Sequence, residues 1–92
     1  MQIEFDPEKR QQTLIHRGLD MADAELVFRA DHLTFPDLRN EYGEDRFISI
    51  GLIEERMVYI AWTLRNGVHR IISMRKANDR EQKKYGLRLG RP

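Results

Sequence analysis

The residues of this 92-residue chain that could do chemistry are concentrated in one basic stretch, from Arg65 to Tyr85. Its cations are Arg65, Arg70, Arg75, Lys76, Arg80, Lys83 and Lys84. Guanidinium and ammonium groups bind phosphate oxygens and stabilise negative charge that develops in a transition state. We therefore interpret this stretch as the functional part of the molecule and the rest of the chain as its support.

Candidate proton-transfer groups accompany these cations. They are the carboxylates Glu41, Glu44 and Asp45, the histidines His16, His32 and His69, and the tyrosines Tyr59 and Tyr85. RNA cleavage without a metal ion needs a base for the ribose 2′-hydroxyl, cations for the phosphorane and an acid for the leaving oxygen. The three histidines are scattered, and no metal-binding spacing, glycine-rich phosphate loop or nucleophile elbow is present. Composition alone leaves RNA cleavage as one function among several.

The charges are divided between the two halves of the chain. Residues 1–45 hold five Lys/Arg against eleven Asp/Glu, whereas residues 46–92 hold eleven against four. A basic face attracts polyanions even when the total charge is close to zero. The other interpretation is that the two halves neutralise each other across the fold.

Length and composition predict one compact domain that spans residues 1–92, with residues 86–92 as a frayed tail. No segment is long and apolar enough for a membrane span, and the N-terminus lacks the pattern of a signal peptide. The chain has no cysteine, hence no disulfide. We expect a cytoplasmic protein without membrane contact, metal or cofactor.

Three helices are predicted from their start and stop signals. Asp6-Pro7 starts a helix that runs to Arg17 and stops at Gly18. Asp20 caps a second helix, and the last one starts at a capping box of Asn78 with Glu81 and ends at Gly86. In the second helix, a buried stripe is predicted by helical spacing at Met21, Ala24, Val27 and Phe28.

Strands are predicted where the apolar period changes to two. Two short ones cover residues 3–5 and 32–35, and three longer ones cover residues 46–53, 57–64 and 68–75. Asn66-Gly67 between alternating runs predicts a hairpin with a type I′ turn. Gly51 within its strand predicts a bulge or a close backbone approach, and residues 37–45 predict an exposed acidic loop.

The hairpin register separates the two central arginines of the basic stretch. In a regular strand Ser73 and Arg75 share the aliphatic face with Ile71, which we assign to the helices. Arg70 lies on the opposite face, towards a groove or a partner. Without a bulge the two arginines would therefore not form one pocket, and each could instead make an ordinary cross-strand ion pair.

Matching residues carry a resemblance to one known family. In chain order they are Phe5-Asp6-Pro7 with Lys9, Gly18, Ala24 with Phe28, Gly43-Glu44 with Arg46, Trp62-Thr63, the run Arg70-Ile71-Ile72-Ser73-Met74-Arg75-Lys76-Ala77, Glu81 and Tyr85. Over nearly the whole chain the sequence resembles the BrnT family, ribonuclease toxins of bacterial type II toxin–antitoxin pairs. The resemblance implies an α+β, RelE-like fold: two N-terminal helices on an antiparallel sheet of about four strands, with a C-terminal helix.

The same resemblance implies an activity and partners. The protein would be a metal-independent endoribonuclease that inhibits translation. A ribbon–helix–helix antitoxin would neutralise it, in an assembly of two toxins with two antitoxins. Operator DNA would be reached only through that antitoxin.

Site residues are carried over by position. They are Arg70, Ser73 and Arg75 in the strand, Glu44 and Arg46 at the strand entry, and Tyr85 in the last helix. We expect Arg70 and Arg75 to stabilise the phosphate, Glu44 or His16 to act as base, and Tyr85 to orient the nucleotide or act as acid. The expected RNA-binding residues are Arg46, Arg65, Lys76, Arg80 and Lys84. The chain departs from many relatives in reading His16-Arg17-Gly18 where they carry Lys-His-Gly, so no histidine stands at position 17.

Two other functions remain open. A non-catalytic module would use its basic surface only to bind its antitoxin or another acidic partner. A plain structural subunit fits the charge division less well.

Overall fold

In the computed structural model, which describes residues 1–90, regular elements follow the predicted order. They are β1 (Ile3–Glu4), α1 (Pro7–Arg17), a 3-10 turn (Met21–Asp23), α2 (Ala24–Arg29), β2 (Leu33–Pro36), β3 (Arg46–Ile53), β4 (Arg56–Arg65), β5 (Val68–Lys76), α3 (Asp79–Tyr85) and a second 3-10 turn (Leu87–Leu89). Within the described residues, no helix is both long and apolar enough to cross a bilayer.

The strands form one mixed sheet of five, in the order β1-β5-β4-β3-β2. The α+β class is confirmed, but the expectation of an antiparallel sheet of about four strands needs correction. Residues Ile3 and Glu4 add a fifth strand, and they pair in parallel with His69 and Arg70 of β5. The other neighbouring strands are antiparallel, and for β4 and β5 the Asn66-Gly67 turn predicts this pairing.

Local signals position most elements where the sequence places them. The Asp6 side chain accepts the Glu8 N–H at 2.9 Å, and Gly18 ends α1 with φ 66°. Asn66 and Gly67 have φ 53° and 77°, as a type I′ turn requires. The second helix differs: Asp20 caps the 3-10 turn, and the α-helix begins only at Ala24.

One face of the sheet, which we call the helical face, carries the main core. Its members are Leu19, Met21, Ala24, Val27, Phe28, Ile53, Val58, Ile60, Trp62, Ile71 and Met74. The predicted stripe of the second helix is therefore confirmed as core. Gly51 allows the close approach of α2 to β3, because a Cβ there would lie 2.6 Å from Val27 Cγ1.

The opposite face, which we call the cleft face, is covered by residues 1–90 at one end only. There Ile50, Met57 and Ala77 form a smaller core with Tyr85 and Leu89. Where a frayed tail was expected, Leu87–Leu89 forms a 3-10 turn, since Leu89 packs against this core. Residues 91–92 of that tail lie outside the described residues. The rest of the cleft face is left for other side chains.

Candidate active site

A β-bulge in β5 determines which side chains reach the cleft face. Trp62 pairs with Ile71 and Ala61 pairs with Ser73, so Ile72 has no partner in β4. Past such an extra residue the alternation of a strand shifts by one. Ile71 and Met74, three positions apart, are 1% and 0% exposed on the helical face.

The bulge thereby changes the expected placement of the strand arginines. Ser73 pairs with Ala61 and Arg75 pairs with Tyr59, both on the cleft face. Arg70 pairs with Thr63 on that same face. The separation that a regular strand predicts for Arg70 and Arg75 is therefore removed by one extra residue.

A cleft of about 320 Å³ opens beside the bulged strand. It is lined by Pro36, Asp37, Leu38, Arg39, Ile48, Tyr59, Ala61, Ser73, Arg75 and Glu81. Ala61 stands between Ile48 of β3 and Ser73 of β5, and its single methyl group leaves room above the sheet. The small residue in the middle row makes the depression, and longer side chains form its walls.

Arg75 and Glu81 form one wall as a bidentate ion pair. Arg75 Nη1 and Nη2 donate to Glu81 Oε1 and Oε2, each at 2.8 Å. Glu81 also accepts the Asn78 N–H at 2.8 Å within the capping box of α3. The hydrogen bonds from Arg75, with those of the helix start, lower the pKa of Glu81 to about 2. The cap of α3 thus fixes the carboxylate that orients the guanidinium.

Tyr59 lies beneath that guanidinium. The Arg75 Cζ atom is 4.3 Å from the centroid of the Tyr59 ring, a cation–π distance. Burial, and then the nearby Glu81 carboxylate, raise the pKa of Tyr59 far above its ordinary value. The Tyr59 phenol is therefore protonated at neutral pH.

A second arginine stands in the opposite wall. Arg39 Nε and Nη2 donate to the two carboxylate oxygens of Asp37, each at 2.8 Å. Asp37 is buried, and the bond from Arg39 lowers its pKa to about 2. Glu81 raises the pKa of Arg75, whereas the positive charge of Arg39 opposes that shift, as expected of two cations facing one space.

Sequence reasoning missed Arg39 as a site residue. It is the one cation of the acidic loop 37–45, and no periodicity assigns a loop residue to a face. The available sequence signal was Asp37, which lies two residues before Arg39, close enough for a bidentate ion pair. The loop is ordered around that pair, because the Tyr42 hydroxyl also donates to Asp37 at 3.3 Å.

Arg70 lies on the cleft face but does not line the cleft. It is 3.7 Å from Glu4 of β1, and its row across the sheet contains Thr63 and Arg46. Thr63 and Tyr59 are four residues apart in β4, so the rows of Arg70 and Arg75 are separated by about 13 Å. The two arginines share a face, and only Arg75 belongs to the cleft.

Glu44, Arg46 and Arg65 form a neighbouring group. Arg46 donates to Glu44 at 3.1 Å and Arg65 does so at 3.3 Å. These hydrogen bonds lower the pKa of Glu44, and the bond from Arg65 has the largest effect. Arg46 also covers the Tyr42 ring at 4.0 Å. With the loop, Glu44 and Arg46 line a wider hollow of about 660 Å³ beside the cleft.

The remaining predicted site residues are dispersed. His16 is exposed on α1 and bonds Gln12 at 2.8 Å, away from the cleft. Tyr85 packs between Phe35 and Tyr59, with ring centroids 5.9 and 6.4 Å away. The three cations Lys76, Arg80 and Lys84 are exposed and line no part of the cleft. In residues 1–90 no group of three or more His, Asp or Glu side chains is placed to hold a metal ion.

Comparison with known proteins identifies the family of the chain. A search of curated proteins gives no match. A family model described as "Ribonuclease toxin, BrnT, of type II toxin-antitoxin system" matches residues 5–81, a range that includes β5 and Glu81. Because the match covers most of the 92 residues, the chain belongs to the BrnT family of ribonuclease toxins.

Proposed function

We propose that the cleft between Arg39 and Arg75 cleaves RNA without a metal ion and thereby inhibits translation. One observation carries this proposal: a guanidinium held in a fixed orientation by Glu81 lies over a protonated phenol. A phosphodiester that enters the cleft would meet two guanidinium groups, each paired with a carboxylate, and a protonated phenol. These are the cation and acid that metal-free RNA cleavage requires.

The proposed reaction is an in-line transesterification. The ribose 2′-oxygen forms a bond to phosphorus, and the bond from phosphorus to the 5′-oxygen breaks. Glu81 takes the 2′-hydroxyl proton, and Tyr59 gives its proton to the 5′-oxygen. The products are a 2′,3′-cyclic phosphate and a 5′-hydroxyl, and solvent returns the proton from Glu81 to Tyr59.

Substrate binding would make Glu81 a better base. In the free protein both carboxylate oxygens accept hydrogen bonds from Arg75, which holds the pKa of Glu81 near 2. An incoming phosphate competes for the same guanidinium, and weaker bonds to Arg75 raise that pKa. His16 and Glu44, the bases expected from the sequence, lie outside the cleft, so we assign proton transfer to Glu81 and Tyr59.

The other cations are proposed to hold the RNA backbone. Arg46, Arg65 and Arg70 continue the cleft face beyond the cleft, and Arg80 and Lys84 extend it along α3, with Lys76 at the strand end. Phosphate contacts of this kind position a strand without reading its sequence. Tyr85, in contact with the Tyr59 ring, is proposed to support a stacked base rather than to act as acid.

A type II toxin implies an antitoxin partner. We propose that the partner is a ribbon–helix–helix protein in a complex of two toxins and two antitoxins, which acts in the cytoplasm. The toxin would contact operator DNA only through that antitoxin. The overall arrangement of helices and sheet fits the RelE-like fold that the sequence resemblance implies.

The test is cleavage of a defined RNA in EDTA by the chain purified free of antitoxin. Arg75→Ala should lower kcat/KM by about a hundredfold or more, the scale for removing one transition-state donor. Arg75→Lys should recover only part of the loss, because an ammonium cannot bind bidentately. Arg29→Ala is the control, since Arg29 pairs with Glu25 on α2.

The chemistry of the product ends is an independent check. A 2′,3′-cyclic phosphate and a 5′-hydroxyl are expected from the proposed step. If the wild-type chain binds an antitoxin but cuts no RNA in EDTA or in Mg²⁺, the non-catalytic alternative replaces this proposal. Cleavage that Arg75→Ala leaves intact would remove the cleft from the mechanism.

A further inference from the structure

We propose that Lys9 and Arg17 of α1 are positioning residues that hold the bulge of β5 and so place Ser73 and Arg75 in the cleft. The inference rests on the proposed function for its catalytic consequence. Its structural part, the control of Arg75 by two cations on the far side of β5, stands on geometry alone.

Helix α1 packs along the outer edge of β5 and binds backbone carbonyls there. β1 pairs with β5 only at His69 and Arg70, so the edge beyond them has no strand neighbour among residues 1–90. At this edge α1 runs alongside β5. Lys9 Nζ donates to the Ile72 carbonyl at 2.8 Å, and Arg17 Nη1 donates to the Met74 carbonyl at 2.7 Å.

One of these contacts is at the bulged residue and the other is two residues beyond it. Ile72 is the extra residue, and a bulged residue is left outside the regular ladder. The carbonyls that receive the cations belong to the residues on either side of Ser73. Hydrogen bonds from charged donors are about twice as strong as neutral ones. The backbone is therefore gripped immediately before and after Ser73, one residue ahead of Arg75.

Apolar packing does little to attach α1 at this place. The helix has no buried residue, and Leu14 and Ile15 are exposed. The two cations lie eight residues apart, about 12 Å along a helix axis. That distance is larger than the spacing of the two carbonyls that they bind, which belong to residues two apart in β5. The Lys9 and Arg17 side chains therefore converge on one short segment from opposite ends of α1. The geometry is that of a clamp on one short segment.

A simpler role for the two cations is protection of an edge strand. Charged side chains commonly shield exposed edges from pairing with other chains. Edge protection predicts more self-association when the cations are removed but no change at Arg75. Bulge positioning predicts a change in Arg75 and in turnover while the fold persists.

The experiment compares Lys9→Met, Arg17→Met and their double variant with Arg29→Met as the charge-matched control. Two-dimensional NMR follows the Nε–H signal of Arg75, whose binding to Glu81 should hold that signal away from the position of a free arginine. In the double variant that signal should move towards the position of a free arginine and broaden. Arg29→Met should leave the signal unchanged, because Arg29 pairs with Glu25.

Kinetics on RNA give the second readout. We expect kcat to fall about tenfold in each single variant with KM within about twofold, because phosphate contacts elsewhere remain. Lys9→Arg should restore kcat, since it keeps a charged donor of similar reach. A loss that follows thermal unfolding alone, without rescue by Lys9→Arg, would overturn the proposal.

The two proposals fail in different ways. If the wild type cleaves no RNA, the proposed function fails, while the Arg75 signal still tests the clamp. If RNA is cleaved but the Arg75 signal and kcat are unchanged in both single variants and the double variant, the clamp is wrong. Should the double variant unfold, the single variants, each with one bond retained, decide the question.

Discussion

The two faces of the sheet are made by the same alternating strands, yet different forces organise them. The helical face is closed by apolar side chains such as Val58, Ile60 and Met74, none of them exposed. The cleft face is organised around ion pairs, Arg75 with Glu81 and Arg39 with Asp37. One face therefore stabilises the fold through burial, and the other holds charged groups in position.

The bulge of β5 lets one strand bury apolar side chains on the helical face and place charged groups on the cleft face. A regular strand with this sequence would place Arg75 in the helical core and Met74 over the cleft. One extra residue exchanges them, so that a cation reaches the cleft without burial of its charge. Avoiding a buried, unpaired charge is worth several kcal/mol, whereas one lost ladder hydrogen bond costs about 1 kcal/mol.

The largest expected effect is therefore a difference in destabilisation between substitutions at two positions of β5, Met74 and Ile72. Met74→Ala should lower the free energy of unfolding by about 3 kcal/mol, because a fully buried side chain is removed. Ile72→Ala, at the half-buried bulge, should cost only about 1 kcal/mol. Urea unfolding at neutral pH measures both.

A regular strand makes the opposite prediction. Positions 72 and 74 would then share a face and have similar costs. Equal destabilisation by the two substitutions would show that the bulge is absent in solution. Ile71→Ala, also on the helical face, provides a reference for a buried aliphatic in the same strand.

Much of this arrangement can be predicted from the sequence because its signals are local. The N-cap of α1, the capping box of α3 and the Asn66-Gly67 turn each determine their neighbours' backbone, and all are confirmed. The bulge also leaves a trace. In the run from Arg70 to Arg75, removal of one isoleucine gives perfect polar–apolar alternation, so a doubled apolar residue marks the inserted position.

The cleft itself could not be predicted in the same way. Arg39 reaches it from an irregular loop, whose course depends on the burial of Asp37 against the sheet. The short strand β1 depends on a parallel pairing with residues more than sixty positions away. Periodicity predicts a strand at residues 3–5, but it predicts neither the partner of that strand nor the course of the loop, because neither is set by neighbours in the chain.

As the pH falls, the two faces should lose their contributions to stability in different pH ranges. On the cleft face the pKa of Glu81 is lowered from an ordinary value near 4.5 to about 2. Its stabilisation is thus complete above about pH 4.5 and is lost as the pH falls towards 2. We expect Glu81→Gln, which can keep the capping box, to remove about 2 kcal/mol of this contribution after allowance for solvent around Arg75.

On the helical face the window lies higher. His69 stacks on Trp62 with centroids 4.5 Å apart, and its Nδ1 atom has no hydrogen-bond partner among residues 1–90. Burial, then the positive amino terminus, lower the pKa of His69 below 6.5. Its contribution is therefore lost as the pH falls from about 6.5, and His69→Phe should remove that dependence while keeping the stack.

Urea unfolding at pH 7, 5 and 3 distinguishes these contributions. Wild type should lose stability in both intervals, and His69→Phe only in the lower one. Glu81→Gln should keep the loss from pH 7 to 5 and show a smaller loss from 5 to 3. The remaining loss comes from the other carboxylates with a lowered pKa, which are Asp37, Asp20 and Glu44. If Glu81→Gln and wild type lose stability in parallel below pH 5, the ion pair with Arg75 does not contribute to folding.

The smallest effect concerns two arginines on one face. Arg70 lies outside the cleft, near Glu4, whereas Arg75 lines it. Arg70→Ala should therefore raise KM for RNA about tenfold with kcat nearly unchanged, as expected for a contact made equally in ground and transition states. Arg75→Ala should instead lower kcat. Steady-state kinetics on one RNA compare them, with Glu4→Gln to show whether the ion pair of Arg70 matters. A kcat loss in Arg70→Ala as large as that in Arg75→Ala would contradict this difference. It would mean that the substrate draws both guanidiniums to one phosphate. The two rows are about 13 Å apart along the strands, a distance that two extended side chains can bridge.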